Sequence, residues 1–188
     1  DLGNAGDGGD ISLLADSGAI FSLDDGGLGV NPTSLISDGG QVNGDGATGN
    51  GGDGGDVLAQ AQGDIRLDSG VFVLGGSIIG DDTTGDAGDG GDVTYESNGG
   101  NVQILDDPAT GAGPTFQMAG GNIAGADDST GSAGDGGNFR VFAGDGDVDL
   151  QANVFAHGGT VTGNNTAGDG GDGGSVDIDA IDGDVDID

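Results

Sequence analysis

The sequence predicts an all-β fold, a single-stranded right-handed parallel β-helix. Three observations predict it. A glycine–aspartate hexapeptide returns at regular intervals, short apolar segments alternate with polar residues, and no window carries the i, i+3, i+4, i+7 spacing of an amphipathic helix.

The hexapeptide reads Ala5-Gly-Asp-Gly-Gly-Asp10, Gly51-Gly-Asp-Gly-Gly-Asp56, Ala87-Gly-Asp-Gly-Gly-Asp92, Ala133-Gly-Asp-Gly-Gly-Asn138 and Gly170-Gly-Asp-Gly-Gly-Ser175. Its last positions lie 46, 36, 46 and 37 residues apart (56−10, 92−56, 138−92, 175−138). Neighbouring intervals sum to 82 or 83, and other residues echo at that distance: Leu23-Asp24-Asp25 returns as Leu105-Asp106-Asp107, and Pro32-Thr33 as Pro114-Thr115. The chain therefore divides into super-repeats at about 10–91 and 92–174 with a partial copy at 175–188, all within one continuous solenoid. Each super-repeat has a long half, carrying an insertion at Asp24–Ser37 or Asp106–Gln117, and a short half without it.

Within each half the order of elements is constant. The hexapeptide runs into an apolar residue: Ile11, Val57, Val93, Phe139 or Val176. An alternating segment follows, such as Asp64-Ile-Arg-Leu67 or Asp147-Val-Asp-Leu150. A Gly-Gly pair then precedes another apolar residue, as in Gly75-Gly-Ser-Ile78. Val, Ile and Phe in period two suit short strands with one buried face. The 48 glycines would each weaken a helix by roughly 1 kcal/mol.

A coil of roughly 18–20 residues is expected, which stacks nine or ten coils at ~4.8 Å into a rod of roughly 45 Å. Val57, Val93, Phe139 and Val176 should form one interior ladder, and Ile65, Val102, Val148 and Val185 a second. Phe72 and Phe155 should stack in a third. The hexapeptide glycines should form corners, because tight turns favour φ > 0 and paired glycines let coils approach.

Charge limits the functions available. The net charge is −32, with 34 acidic residues against two basic ones, Arg66 and Arg140. Nucleic acid is a poor partner for such a surface. No apolar run approaches the ~18 residues of a membrane span. No cysteine is present, which removes disulfide and thiolate chemistry. No secretory leader is evident and the chain begins and stops inside the pattern, so a segment of a longer protein, or a mature chain trimmed at both ends, is expected. Glu96 is the sole glutamate, so 33 acids are aspartates, the residue whose short side chain bonds nearby backbone.

The run Gly-Asp-Gly-Gly-Asp-Val, followed by alternating Ile and Val and then Gly-Gly-x-Ile, resembles the repeats of filamentous-haemagglutinin-like exoproteins, many exported by two-partner secretion. The resemblance implies a right-handed parallel β-helix outside the cell or on its surface, acting in adhesion, biofilms or cell contact. A weaker resemblance joins Gly51-Gly-Asp-Gly-Gly-Asp56-Val-Leu58 to the nonapeptide of calcium-binding RTX-type repeats. Ser12, Thr94 and Arg140 break that match in the other copies.

Stacked carboxylates about 4.8 Å apart repel by about 1 kcal/mol in water. Cations would relieve this, and calcium takes six to eight oxygens. The candidate metal ligands are Asp7, Asp53, Asp56, Asp89, Asp135, Asp169 and Asp172. The bland alternative is that these aspartates shape turns and solvate the surface. His157 reads as an exposed turn residue. The insertions around Pro32 and Pro114 are candidate contact loops.

The expected function is therefore an extracellular structural or adhesive rod, stalk or end-to-end filament without catalysis. Its expected partners are a second copy or a continuation of the same chain, and a host-cell, matrix or polysaccharide surface. Alternatives are a calcium-dependent adhesin-type solenoid, an ice-binding solenoid and a polysaccharide-acting β-helix. Thr160-Val161-Thr162 alone suits ice binding. A sugar-processing site would need basic and aromatic residues, yet the chain has no Lys, no Trp and one Tyr.

Overall fold

A computed structural model describes residues 3–22, 34–106, 111–125 and 127–188. Among these, seventeen short strands and no helix are found. All pair in parallel, in four sheets. Sheet A stacks β1 (Ile11–Ala15), β5 (Val57–Ala61), β9 (Val93–Ser97), β13 (Phe139–Ala143) and β16 (Val176–Ala180). Sheet B stacks β2 (Ile20–Phe21), β6 (Ile65–Leu67), β10 (Val102–Ile104), β14 (Val148–Leu150) and β17 (Val185–Ile187). Sheet C holds β3 (Leu35–Ile36), β7 (Val71–Phe72), β11 (Thr115–Gln117) and β15 (Asn153–Phe155). Sheet D holds β4 (Val42–Asn43), β8 (Ile78–Ile79) and β12 (Ile123–Ala124), and a bridge from Ile123 to Val161 extends it. The fold is a right-handed parallel β-helix.

The coil is longer than the expected 18–20 residues. Ile11 pairs with Val57, Val57 with Val93, Val93 with Phe139 and Phe139 with Val176. One turn thus takes 46, 36, 46 or 37 residues, and the sequence half-unit is the coil. The reason lies in the four apolar segments of each half-unit. They differ from one another and match only their counterparts in the next half-unit, so a single turn must contain all four. Four turns and part of a fifth, at about 4.8 Å each, give a stack of roughly 24 Å rather than 45 Å.

The long coils owe their length to one corner. Between sheets B and C, β6 and β7 are separated by three residues, 68–70, whereas β2 and β3 are separated by thirteen, 22–34. The register absorbs this change: Ile20 pairs with Ile65, 45 residues on, but Leu35 pairs with Val71, 36 residues on. The second insertion sits at the same corner two coils later, between β10 and β11. Pro32 and most of the first insertion lie outside the described residues.

The two principal interior ladders are as expected. Val57, Val93 and Phe139 are buried, as are Ile65, Val102 and Val148. Between them Tyr95, Phe116 and Phe139 form an aromatic cluster, with ring centroids 5.9, 6.2 and 5.0 Å apart. Each such ring contributes roughly 1.5–3 kcal/mol through burial. The Tyr95 hydroxyl has no hydrogen-bond partner, and burial pushes its pKa upward. A separate small core of Val42, Ala47, Ile78, Ala87 and Ile123 lies behind sheet D.

The third expected ladder is corrected. Phe72 and Phe155 do share a column, with Ile36 and Gln117, but it faces outward, and Val71, Phe116 and Val154 point inward instead. Phe155 is 48% exposed.

The hexapeptide is also not a corner. None of its glycines adopts a positive φ. Its backbone donors instead rotate with period three. Gly51 N–H donates to Asp86 O in the next coil, Gly52 N–H to Gly40 O across the molecule, and Asp53 N–H to the Asp7 carboxylate in the preceding coil. Gly54, Gly55 and Asp56 repeat the same three directions, to Asp89 O, Ser37 O and the Asp10 carboxylate. Three residues per turn without internal hydrogen bonds is the pattern of a polyproline-II-type helix.

This segment faces the Gly-Gly segment, and the two are stitched together. One line of bonds runs Gly40 N to Gly6 O, Gly52 N to Gly40 O, Gly76 N to Gly52 O and Gly88 N to Gly76 O. It continues through Gly121, Gly134, Gly159 and Gly171. Here glycine is required by close approach. A Cβ on Gly88 would lie 2.0 Å from Gly52 O, and one on Gly134 would lie 1.9 Å from Gly88 O. This glycine seam divides the larger core from the smaller one.

Positive φ occurs at a different corner, just after sheet D. Gly46, Asp82, Asp128 and Asn165 occupy equivalent places in successive coils, with φ of 67°, 55°, 57° and 55°. Gly, Asp and Asn are the residues that tolerate this conformation.

Candidate functional site: the aspartate ladders

An aspartate side chain reaches backbone one strand away, and this defines the main surface feature of the molecule. Asp53 N–H donates to Asp7 Oδ1 at 3.1 Å, Asp89 N–H to Asp53 Oδ1 at 2.9 Å, Asp135 N–H to Asp89 Oδ1 at 2.7 Å and Asp172 N–H to Asp135 Oδ1 at 2.7 Å. Each carboxylate accepts from the equivalent residue of the following coil. Charge-assisted bonds of this kind are shorter and stronger than neutral ones.

Two parallel ladders flank this one at a spacing of three residues. In one, Asp10 accepts from Asp56, Asp56 from Asp92, Asp92 from Asn138 and Asn138 from Ser175. In the other, Asn4 accepts from Asn50, Asn50 from Asp86, Asp86 from Ser132 and the Ser132 hydroxyl from Asp169. The same device recurs beside sheet B, from Asp64 through Asn101 and Asp147 to Asp184. After sheet D it runs from Asp45 through Asp81 and Asp127 to Asn164. Glutamate would overshoot by a methylene, and every acidic acceptor in these ladders is an aspartate.

The structure brings Asp7, Asp53, Asp89, Asp135 and Asp172 into one ladder and places Asp56 and Asp169 in its two neighbours. All seven are exposed. Among the described residues, no group of three or more His, Cys, Asp or Glu side chains is arranged to hold a metal ion. Asp10, Asp64, Asp86, Asp92 and Asp147 accept in the same way as Asp7, Asp53, Asp56, Asp89 and Asp135, whereas Asp169 and Asp172 enter their ladders through backbone N–H, and those five are not singled out by the sequence. The signal that finds them is a Gly-Asp pair, within the hexapeptide or outside it, read together with the coil period. The nonapeptide resemblance also changes meaning. Leu58 shares an outward-facing column with Ser12, Thr94, Arg140 and Asp177, so a polar residue is accommodated there.

The outer face of sheet B carries an acidic recess. A concavity of about 270 Å³ is lined by Asn101, Gln103, Asp147, Val148, Asp149, Asp184 and Asp186. Partial burial raises the Asp149 pKa, the charges of Asp186 and Asp188 raise it further, and a hydrogen bond from Gln151 opposes them. Arg140 lies 3.8 Å from Asp177, and its guanidinium is 5.8 Å from the Phe142 ring centre. His157 is exposed, with Nδ1 3.2 Å from the Gly158 carbonyl. No helix of the described chain is long and apolar enough to cross a membrane.

These features define an acidic parallel β-solenoid whose coils are tied by side-chain-to-backbone ladders. No protein-family model matches the chain, and no curated protein or solved structure matches it.

Proposed function

We propose that this chain is a structural or adhesive solenoid segment that works outside the cell or on its surface and does no catalysis. The observation that carries this reading is the repetition of the ladders. The same donor and acceptor recur in every coil, so the surface is periodic along the stack. A periodic, stiff surface suits a spacer or a multivalent contact, as in other solenoids. The resemblance to filamentous-haemagglutinin-like repeats supports the same reading, with a host-cell, matrix or polysaccharide surface as the contacted class. The test is antibody labelling of intact and permeabilised source cells. Labelling of intact cells, removed by external protease, is expected. Labelling only after permeabilisation would overturn the proposal.

A second reading adds calcium to the same scaffold. It rests on the exposed carboxylate column Asp7, Asp53, Asp89, Asp135 and Asp172 with Asp10, Asp56 and Asp92 beside it, where like charge accumulates coil after coil. Melting in millimolar-range calcium and in chelator distinguishes the two. A rise of many degrees with calcium supports the second reading, and coincident curves remove it.

A further inference from the structure

We propose that Asn98 is a site of spontaneous deamidation, exposed to that chemistry by a one-residue mismatch between two stacked turns. The described chain holds three Asn-Gly pairs: Asn43-Gly44, Asn50-Gly51 and Asn98-Gly99. Asparagine is among the thermolabile residues. A following glycine favours its loss, because no Cβ hinders the approach of the backbone nitrogen to the side-chain amide. What separates the three pairs is the bonding of that nitrogen.

At the first two pairs it is occupied. Gly44 N–H donates to Ile79 O at 2.8 Å, and Gly51 N–H to Asp86 O at 2.9 Å. The Asn50 side chain is held as well, since its Oδ1 accepts from Asp86 N–H. At the third pair, neither the Gly99 N–H nor the Asn98 side chain has a hydrogen-bond partner among the described residues.

A change of turn length is the cause. Ala61 pairs with Ser97 and Ile65 with Val102, so at the corner between sheets A and B three residues, 62–64, face four, 98–101. The longer turn is anchored at both ends. Asn98 N–H donates to Ala61 O at 3.0 Å, and Asn101 N–H to Asp64 Oδ1 at 2.9 Å. The extra residue leaves Gly99 and Gly100, between those anchors, without a backbone acceptor among the described residues. Gly99 is exposed, so water reaches the bend. The turn belongs to an inner coil, with β5 on one side of β9 and β13 on the other.

The reaction needs only water. The Gly99 nitrogen loses its proton to solvent and attacks Asn98 Cγ. The N–Cγ bond forms, the Cγ–Nδ2 bond breaks and ammonia leaves. Water then opens the cyclic imide. Opening at Cγ gives aspartate at position 98. Opening at the main-chain carbonyl gives isoaspartate, with one more methylene in the backbone. Either product adds one negative charge to a chain that carries −32.

A hydrogen bond protects the other pairs because their nitrogen must first leave its carbonyl by local opening. The test holds folded protein in mildly alkaline buffer made with heavy-oxygen water and follows its peptides by mass spectrometry. Label should enter position 98 at least about tenfold faster than positions 43 and 50, with both isomers present. In denaturant the three pairs should convert at similar rates. Comparable rates in the folded protein overturn the proposal. So does a lead at position 98 that persists undiminished in denaturant, which would assign it to local sequence. Amide hydrogen exchange gives an independent readout: Gly99 should exchange without protection while Gly44 and Gly51 are slowed. Protection at Gly99 equal to theirs would also overturn it.

Discussion

The lobe enclosed by sheets A, B and C and the glycine seam beside it join the same coils by opposite means. In the lobe, coils are held by what side chains fill: Tyr95, Phe116 and Phe139 meet as large rings with nothing left exposed. In the seam, coils are held by what side chains would prevent, since peptide groups touch across Gly52, Gly76, Gly88 and Gly134. A lobe position tolerates a smaller residue at the cost of a cavity. An inner seam position such as Gly88 or Gly134 tolerates no larger one. A glycine-rich chain can thus be as closely packed as an aromatic core, with backbone hydrogen bonds in place of buried apolar area.

The largest effect should come from forcing a side chain into the seam. Gly134→Val sets two methyl groups against Gly88 O, and neither backbone can retreat without breaking its own bonds. Loss of the cooperative melting transition is expected in circular dichroism. A variant that melts within a few degrees of wild type would show that the seam is compliant. Next comes the lobe. Phe139→Ala should cost about 3–5 kcal/mol in denaturant titration, with the transition still cooperative. A cost below about 1 kcal/mol would mean the lobe can collapse around the gap.

The ladders should rank third. Asp89→Ala removes the acceptor of Asp135 N–H and should cost about 1–2 kcal/mol. Asp89→Asn should be tolerated, because Asn101 and Asn138 already fill such places. Equal losses for Ala and Asn would show that charge, not the hydrogen bond, matters there. The smallest effect should be electrostatic. The Asp149 pKa is raised above its ordinary 3.8, so its ionisation disfavours the folded state. That penalty is absent below pH 3.8 and grows as pH rises through the raised value. Asp149→Asn should therefore stabilise at neutral pH, by less than about 1 kcal/mol for so open a site, and the gain should vanish in acid. A gain that persists in acid would assign it to something other than charge.

Much of the lobe was legible in the sequence, because period two with Val, Ile and Phe has one physical reading when the same residues return at a fixed interval. Ile65, Val102 and Val148 were placed correctly for that reason. Coil length was not, because short strands fit either two coils per half-unit or one, and the difference rests on noticing that segments within a half-unit do not resemble each other. Phe72 and Phe155 read as interior because strands of two and three residues show too little alternation to tell inside from outside. The seam was hidden for another reason. Two identical triplets are too few to announce a period of three, and glycine suggests a turn wherever it occurs in pairs. The aspartate ladders were partly visible. The excess of aspartate over glutamate pointed to short-reach bonding, but the partner lay one coil away, at a distance in sequence that only the coil length reveals.

The stitching of the seam also bears on how the chain can reach this state. Its bonds alternate between near and far partners in sequence. Gly40 meets Gly52, Gly76 meets Gly88, Gly121 meets Gly134 and Gly159 meets Gly171, closing loops of 12, 12, 13 and 12 residues (52−40, 88−76, 134−121, 171−159). Loops that short close at modest entropic cost, on a timescale of roughly 10–100 ns. Each closes the sheet D side of its coil and leaves an edge ready for the next. The remaining bonds then span only one coil. Folding can proceed by accretion, coil upon coil, with no step that waits for the far end of the chain.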